Sequence, residues 1–156
     1  MSTSSFTVTL PDAWRMVDPA DPFIEAYSEL QLPVAQVMQA VMHSQQQPEF
    51  MAALVAGVAD ESGTVTELLM ASLTAIAYDT DTVPEDVLAG PRSELITNVE
   101  VSDGKPISLL TMTIPVHSAD RRTTVLMNFA TPNLPRADEF EAEFRVIAEN
   151  ATVHSR

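Results

Sequence analysis

The sequence contains no cysteine, only four glycines, and few aromatic residues, which make up 6% of its 156 positions. The absence of cysteine excludes disulfides, thiolate zinc sites and cysteine nucleophiles. The scattered glycines do not form a phosphate-binding loop or a dinucleotide-binding fingerprint, because both need glycines at close, fixed spacing. No apolar run reaches the length of about 18 residues that a spanning helix needs, so we expect no membrane insertion. The sequence gives no reason to expect a cofactor.

Positive charge is also scarce, since Lys105 is the only lysine. Lysine and arginine together number 8 against 22 aspartates and glutamates, and the formal net charge is −14 at pH 7. Binding to nucleic acid needs clustered basic side chains, so this composition argues against a nucleic-acid ligand. It favours a basic protein partner. The first residues lack a basic segment followed by an apolar stretch, which predicts a cytoplasmic protein without a secretory signal.

Alternating apolar residues predict several strands. The clearest are three strands between residues 94 and 131, which form an antiparallel meander with a tight turn at Asp103-Gly104 and a second turn at residues 118–121. Further strands are predicted at residues 6–10, 14–17 and 64–78, and the small residues Ala71, Ala75 and Ala77 leave a helix as the alternative for the last of these segments. The meander residues expected to point inward are Leu95, Thr97, Val99, Val101, Leu110, Met112, Ile114, Val116, Val125, Met127 and Phe129.

Helical periodicity is strongest between residues 34 and 62, where two apolar stripes follow each other on either side of Pro48. The first stripe is Val34, Val37, Met38, Val41 and Met42, and the second is Phe50, Met51, Leu54, Val55 and Val58. Because proline bends or ends a helix, the pattern is compatible with one bent helix or with two. Short helical segments are predicted at residues 23–30 and 82–89.

A terminal helix is predicted to begin at Pro135, with an acidic first turn that suits the helix dipole. Its apolar stripe is Phe140, Phe144, Ile147 and Ala148. Together these patterns predict an α+β fold in which helices cover an antiparallel sheet of about five or six strands. Residues 1–156 contain no linker rich in glycine or serine, so we expect a single domain.

Short motifs at both ends of the chain resemble those of a known family. Pro11 and Trp14 form a P-x-x-W turn, and the segment from Phe129 to Pro132 follows the pattern F-x-T-P before the terminal helix. In these features the sequence is similar to small actinobacterial proteins with the PsbP-like fold, an α/β/α sandwich. The resemblance implies a binding or assembly factor and not an enzyme, and it carries over no catalytic residues.

The three histidines, His43, His117 and His154, show no metal-ligand spacing to another histidine or to a carboxylate. His117 is followed by Ser118 and Asp120, but the members of a catalytic triad normally come from distant segments. A hydrogen-bonded turn is the favoured interpretation of this cluster. The sequence therefore predicts no catalytic residue and no metal site.

Acidic residues of the terminal helix form the candidate partner surface, together with Trp14 and Arg15. The acidic members are Asp138, Glu139, Glu141 and Glu143. An exposed tryptophan beside an arginine has the composition of an interaction hot spot. The structural alternatives are a solvated helix face for the carboxylates and an indole that closes the core for Trp14.

Two functional hypotheses follow from these features. The favoured one is a non-enzymatic binding or assembly domain that presents an acidic surface to a basic protein, for example an immunity protein or a chaperone for a basic effector. The alternative is a small-molecule binder or hydrolase with an apolar cavity between sheet and helices near Met112, Met127 and His117. We expect a monomer or a small homo-oligomer, since the like charge opposes extensive self-association.

Overall fold

The computed structural model describes residues 5–17, 50–99 and 107–154. Most of these residues are in strands, and helices are few, so the predicted α+β class is confirmed. The strands are β1 Ser5–Thr7, β2 Trp14–Met16, β3 Phe50–Ala59, β4 Val65–Asp79, β5 Arg92–Val99, β6 Ile107–His117, β7 Thr123–Thr131 and β8 Thr152–His154. The α-helices of the described residues are α1, Glu85–Leu88, and α2, Ala137–Glu149, and 3-10 turns precede them at Thr80–Thr82 and Leu134–Arg136.

An antiparallel sheet of six strands, in the order β2-β3-β4-β7-β6-β5, organises the fold. Strands β5, β6 and β7 form the predicted meander, with Met112 opposite Phe129 between β6 and β7. Strands β1 and β8 form a separate two-stranded ladder in which Phe6 lies opposite Val153. No strand was predicted at β8, which is only three residues long.

Helix α2 packs on one face of the sheet and contacts β6 and β7. Its predicted apolar stripe is confirmed, because Phe140, Phe144, Ile147 and Ala148 are all buried. The rings of Phe144 and Phe129 stack with their centroids 4.5 Å apart. The indole of Trp14 contacts both rings at 6.3 and 6.5 Å in edge-to-face geometry. An aromatic cluster thus forms the centre of the core between α2 and the sheet.

Strand β3 contradicts the prediction of a second helical stripe at Phe50–Val58. The segment is a strand of ten residues that pairs with β4 along its whole length. Residues 51–54 are buried without alternation, since both faces of the strand are buried there. A strand buried on both faces has a continuous apolar sequence, which cannot be distinguished from a buried helix by its period alone.

The inward position predicted for Leu95 is also wrong, because its side chain is 60% exposed. Strand β5 lies at the end of the sheet, whereas α2 packs over the neighbouring strands β6 and β7. The inward rows on those two strands are confirmed, from Leu110 to Ile114 and from Val125 to Phe129. The helices predicted within residues 23–42, the turn at Asp103-Gly104 and Val101 lie outside the described residues, as do the side chains of Thr97 and Val99.

Strands β3 and β4 extend as a hairpin beyond the rest of the sheet, because β7 pairs with β4 only over Ser72–Asp79. The hairpin turn is organised by Asp60. Its carboxylate accepts hydrogen bonds from the Ser62 hydroxyl at 2.6 Å and from the backbone N–H groups of Ser62 and Thr64 at 2.8 and 3.1 Å. These bonds, above all the one from the hydroxyl, hold the pKa of Asp60 below its usual value.

Candidate functional site

A groove with a volume of about 240 Å³ lies between α2 and the base of the β3–β4 hairpin. We call it the hairpin groove. Its apolar residues are Ala13, Leu54, Ala56, Leu69 and Phe140, and its charged residues are Arg136, Glu139 and Glu143. The groove therefore combines apolar surface from the strands with carboxylates from the helix.

The strand register explains the apolar part of the groove. Ala56 lies directly opposite Leu69, so their side chains share the face of the sheet that α2 covers, and Leu54 is two residues away on the same face. Alanine at position 56 leaves space that a larger side chain would fill. On the helix, Glu139 and Glu143 are one turn apart and project from the same side.

Arg136 connects the start of α2 to the hairpin. Its Nε and Nη2 donate to the Glu67 carboxylate on β4 at distances of 2.8–3.0 Å, and its Nη1 donates to Glu139 Oε2 at 2.9 Å. The hydrogen bonds from Arg136 lower the pKa of Glu67. Bonds to Glu67 and Glu139 raise the pKa of Arg136 in turn. The guanidinium is therefore occupied by two carboxylates of the same chain.

Acid is expected to weaken this connection between α2 and β4. Because the pKa of Glu67 is lower in the folded state, its carboxylate stabilises the fold above the unfolded pKa, and this contribution is lost as the pH falls through the folded pKa. Urea unfolding at about pH 6 and about pH 3 is expected to show a smaller acid-induced loss of stability in Arg136→Gln than in the unchanged protein. The control is Arg145→Gln, which removes one positive charge from α2. Equal acid-induced losses of stability in the unchanged protein and in both variants would contradict the prediction.

Negative charge remains at the groove after this pairing. Among the described residues, three carboxylates, those of Glu67, Glu139 and Glu143, accompany one guanidinium, so two negative charges are left over. The Trp14 indole Nε1–H donates to Glu143 Oε2 at 3.4 Å, which is a long and therefore weak hydrogen bond. Each oxygen of a carboxylate can accept two hydrogen bonds, so Glu143 retains capacity for a further donor.

The structure brings together part of the predicted partner surface. Glu139 and Glu143 line the hairpin groove, and Asp138 is exposed nearby on the first turn of α2. Glu141 projects in another direction, where it accepts a hydrogen bond of 2.5 Å from the Ser93 hydroxyl on β5. The apolar residues of the groove were not among the predicted site residues.

Trp14 is not an exposed anchor, because only 6% of its surface is accessible. Its indole completes the aromatic core, as the structural alternative proposed. Arg15 is exposed, but it lies opposite Ala53 whereas Trp14 lies opposite Leu54. The two side chains are therefore on opposite faces of the sheet and do not form a joint patch.

A second cleft, of about 420 Å³, lies where β6 extends past β5 towards the end of α2. It is lined by Pro91, Ile114, Pro115, Val116, His117, Arg145, Ala148, Glu149 and Ala151. The cavity predicted near Met112 and Met127 is not located there, because both side chains are fully buried in the core. Nδ1 of His117 is 2.9 Å from the hydroxyl of Thr124.

The hydrogen-bonded turn predicted for Ser118 and Asp120 is present after His117. The Ser118 hydroxyl donates to Asp120 at 2.6 Å, and the backbone N–H of Arg122 donates to the same carboxylate oxygen. His154 is exposed on β8, and His43 lies outside the described residues. Within those residues no three histidine, aspartate or glutamate side chains are grouped as metal ligands.

Comparison with known proteins gives no assignment, since neither a protein family nor a curated protein matches the sequence. In the described part of the chain, no helix has both the length and the apolar character needed to cross a bilayer.

Proposed function

We propose that this protein is a non-enzymatic binding domain that accepts a lysine or arginine side chain of a basic protein partner in the hairpin groove. The observation that carries the proposal is an excess of negative charge beside an apolar surface in one small groove, where Glu139 shares Arg136 with Glu67 and Glu143 has no ion-pair partner among the described residues. Lysine and arginine have the matching chemistry, because both combine an apolar stem with a cationic head group.

The size of the groove supports a single side chain as the occupant. Its volume of about 240 Å³ is below the range of roughly 300–1,000 Å³ that is typical of small-molecule sites. The stem of the basic residue would lie on Leu54, Leu69 and Phe140, and its head group would bind Glu143 and Glu139. In this arrangement the cationic head group of the partner would neutralise negative charge of the groove that Arg136 does not neutralise.

The charge of the whole chain supports the same proposal. A net charge of −14 creates a field that accelerates the approach of basic proteins and disfavours acidic competitors. The resemblance to the PsbP-like fold points in this direction too, since it implies a role in binding or assembly. The cleft beside His117 is the place where a small-molecule function would be sought instead.

A peptide library tests the proposal directly. The probe is a positional-scanning set of N-acetylated heptapeptides with alternating threonine and valine and one varied central residue, and binding is measured by fluorescence anisotropy at low ionic strength. Lysine or arginine at the centre is expected to bind best, and added salt is expected to weaken binding by screening. A library without preference for a basic residue would overturn the proposal.

Neutralising the groove is expected to weaken binding of the selected peptide. Loss of one charge-assisted hydrogen bond costs roughly tenfold in affinity, so Glu143→Gln and Glu139→Gln are each expected to raise the dissociation constant by about that factor. Glu149→Gln is the matched control, because it removes the same charge from an exposed site at the other end of α2. If the control weakens binding as much as the groove variants do, only the general field matters and the groove is not the site.

A further inference from the structure

Among the described residues, no strand pairs with the outer edge of β3 next to the hairpin groove beyond Leu54. Strand β2 pairs with β3 only over Ala52–Leu54, whereas β3 continues to Ala59. On the side away from β4, no described residue forms a strand beside residues 55–59. The chain leaves the edge at a turn before β2, where the backbone N–H of Trp14 donates to the Pro11 carbonyl at 3.0 Å.

A hydrogen bond just after β2 shows which backbone groups of β3 point to this edge. The N–H of Val17 donates to the carbonyl of Met51 at 2.8 Å, so the backbone groups of Met51 face outward. In an antiparallel sheet the N–H and C=O of alternate residues point to the same side, which assigns the outward direction to Val55 and Gly57 as well. Gly57 is exposed and lies beyond the turn that precedes β2.

Before the bulge between Val58 and Ala59, this edge lacks two of the usual protections against pairing. Natural edge strands carry charged side chains or proline that prevent the addition of another strand. Residues 55–59, with the sequence VAGVA, contain neither. Their outward groups are therefore suited to main-chain hydrogen bonds with an extended segment.

We infer that the basic partner binds as an added antiparallel strand that continues the line of β2 and pairs with Gly57. This inference rests on the proposed function, and it assigns the conformation of the bound segment. Residues directly opposite each other in a sheet point to the same face. The partner residue opposite Ala56 therefore projects into the hairpin groove, where its cationic side chain reaches Glu139 and Glu143.

Charge complementarity identifies the occupant as a basic segment of another protein. A second copy of this chain would bring its own net charge of −14 to the same edge. The groove beside the edge is itself negative, which selects a strand with a lysine or arginine opposite Ala56. Self-association through the edge is the competing outcome, and sedimentation at increasing protein concentration detects it.

Methylation of the peptide backbone tests the added strand. In an antiparallel pair the peptide residue opposite Gly57 comes immediately before the cationic residue, which lies opposite Ala56. The N–H of the residue opposite Gly57 donates to the Gly57 carbonyl. In the best basic peptide of the library, N-methylation of that preceding residue is expected to weaken binding at least about tenfold. N-methylation of the cationic residue itself, whose N–H points away from β3, is expected to change the affinity less than about twofold.

A pair of protein variants gives the reciprocal test. Gly57→Ala and Gly57→Pro both add a Cβ, which would lie 3.2 Å from Cγ1 of Val65, but only proline removes the outward N–H. Binding is expected to be weaker in Gly57→Pro than in Gly57→Ala. If Gly57→Pro does not fold, the methylation series decides alone.

Different results would overturn the binding site in the groove and the added strand. If Glu143→Gln weakens binding but methylation at both peptide positions has the same effect, the added strand is wrong and the groove proposal stands. If no basic peptide binds, both fall. Dimerisation that Gly57→Pro abolishes, without peptide binding, would overturn the basic partner and assign the edge to self-association.

Discussion

Truncation of Phe144 to alanine is expected to lower the free energy of unfolding by about 3–5 kcal/mol, out of a total of about 5–15 kcal/mol for a domain of ordinary stability. Phe144 is fully buried. Its ring stacks on Phe129 and contacts Phe140 at 5.7 Å and Trp14 at 6.3 Å. Because the neighbouring rings are rigid, they cannot collapse into the cavity that truncation creates.

Urea denaturation followed by the fluorescence of Trp14 measures this loss, since the single tryptophan contacts Phe144. Val146→Ala is the control, because Val146 lies on the same helix and is 52% exposed. Its effect is expected to remain within about 0.5 kcal/mol. A cost below about 1 kcal/mol for Phe144→Ala would contradict the placement of this aromatic cluster at the centre of the core.

The strands β6 and β7 and the helix α2 could be predicted from the sequence, because each has one buried and one more exposed face. Met112 and Ile114 alternate with less buried residues, and Phe140 and Phe144 recur at the spacing of one helical turn. Periodicity identifies such elements without any knowledge of their neighbours. Periodicity does not identify β3, because its residues Met51 and Leu54 are buried on opposite faces of the sheet.

The candidate site could be predicted only in part for the same reason. Glu139 and Glu143 were identified because charge and helical spacing are local properties of the sequence. Ala56 and Leu69 were not, because they meet only when β3 and β4 pair as strands, whereas the sequence pattern of β3 predicts a helix. The direction of the Glu141 side chain could not be predicted from the sequence either, because its hydrogen bond with Ser93 depends on where α2 crosses the sheet.

Asn133 is a further residue whose role became visible only in the structure. Strand β7 ends at Thr131, but the side-chain amide of Asn133 continues its pairing with β4. Its Oδ1 accepts from the backbone N–H of Met70 at 2.7 Å, and its Nδ2 donates to the carbonyl of Leu68 at 2.9 Å. The Thr131 hydroxyl donates to the Met70 carbonyl at 2.6 Å. These side chains secure the base of the hairpin that forms one wall of the groove.

Replacement of Asn133 by alanine is expected to cost about 1–3 kcal/mol, most of it from the part-buried N–H of Met70, because the hydrogen bond to the Leu68 carbonyl is exposed and water can replace it. The amide of Met70 is expected to exchange its hydrogen faster, as measured by NMR, while amides at the centre of β6 change only with global stability. Asn133→Asp keeps the acceptor for Met70 but loses the donor to Leu68, so it distinguishes the two bonds. Unchanged exchange at Met70 in Asn133→Ala would contradict the role of this side chain. Since Leu69 lies between the two bonded residues and lines the groove, a loosened hairpin is also expected to weaken binding of the basic peptide, which would link the stability of β4 to the proposed function.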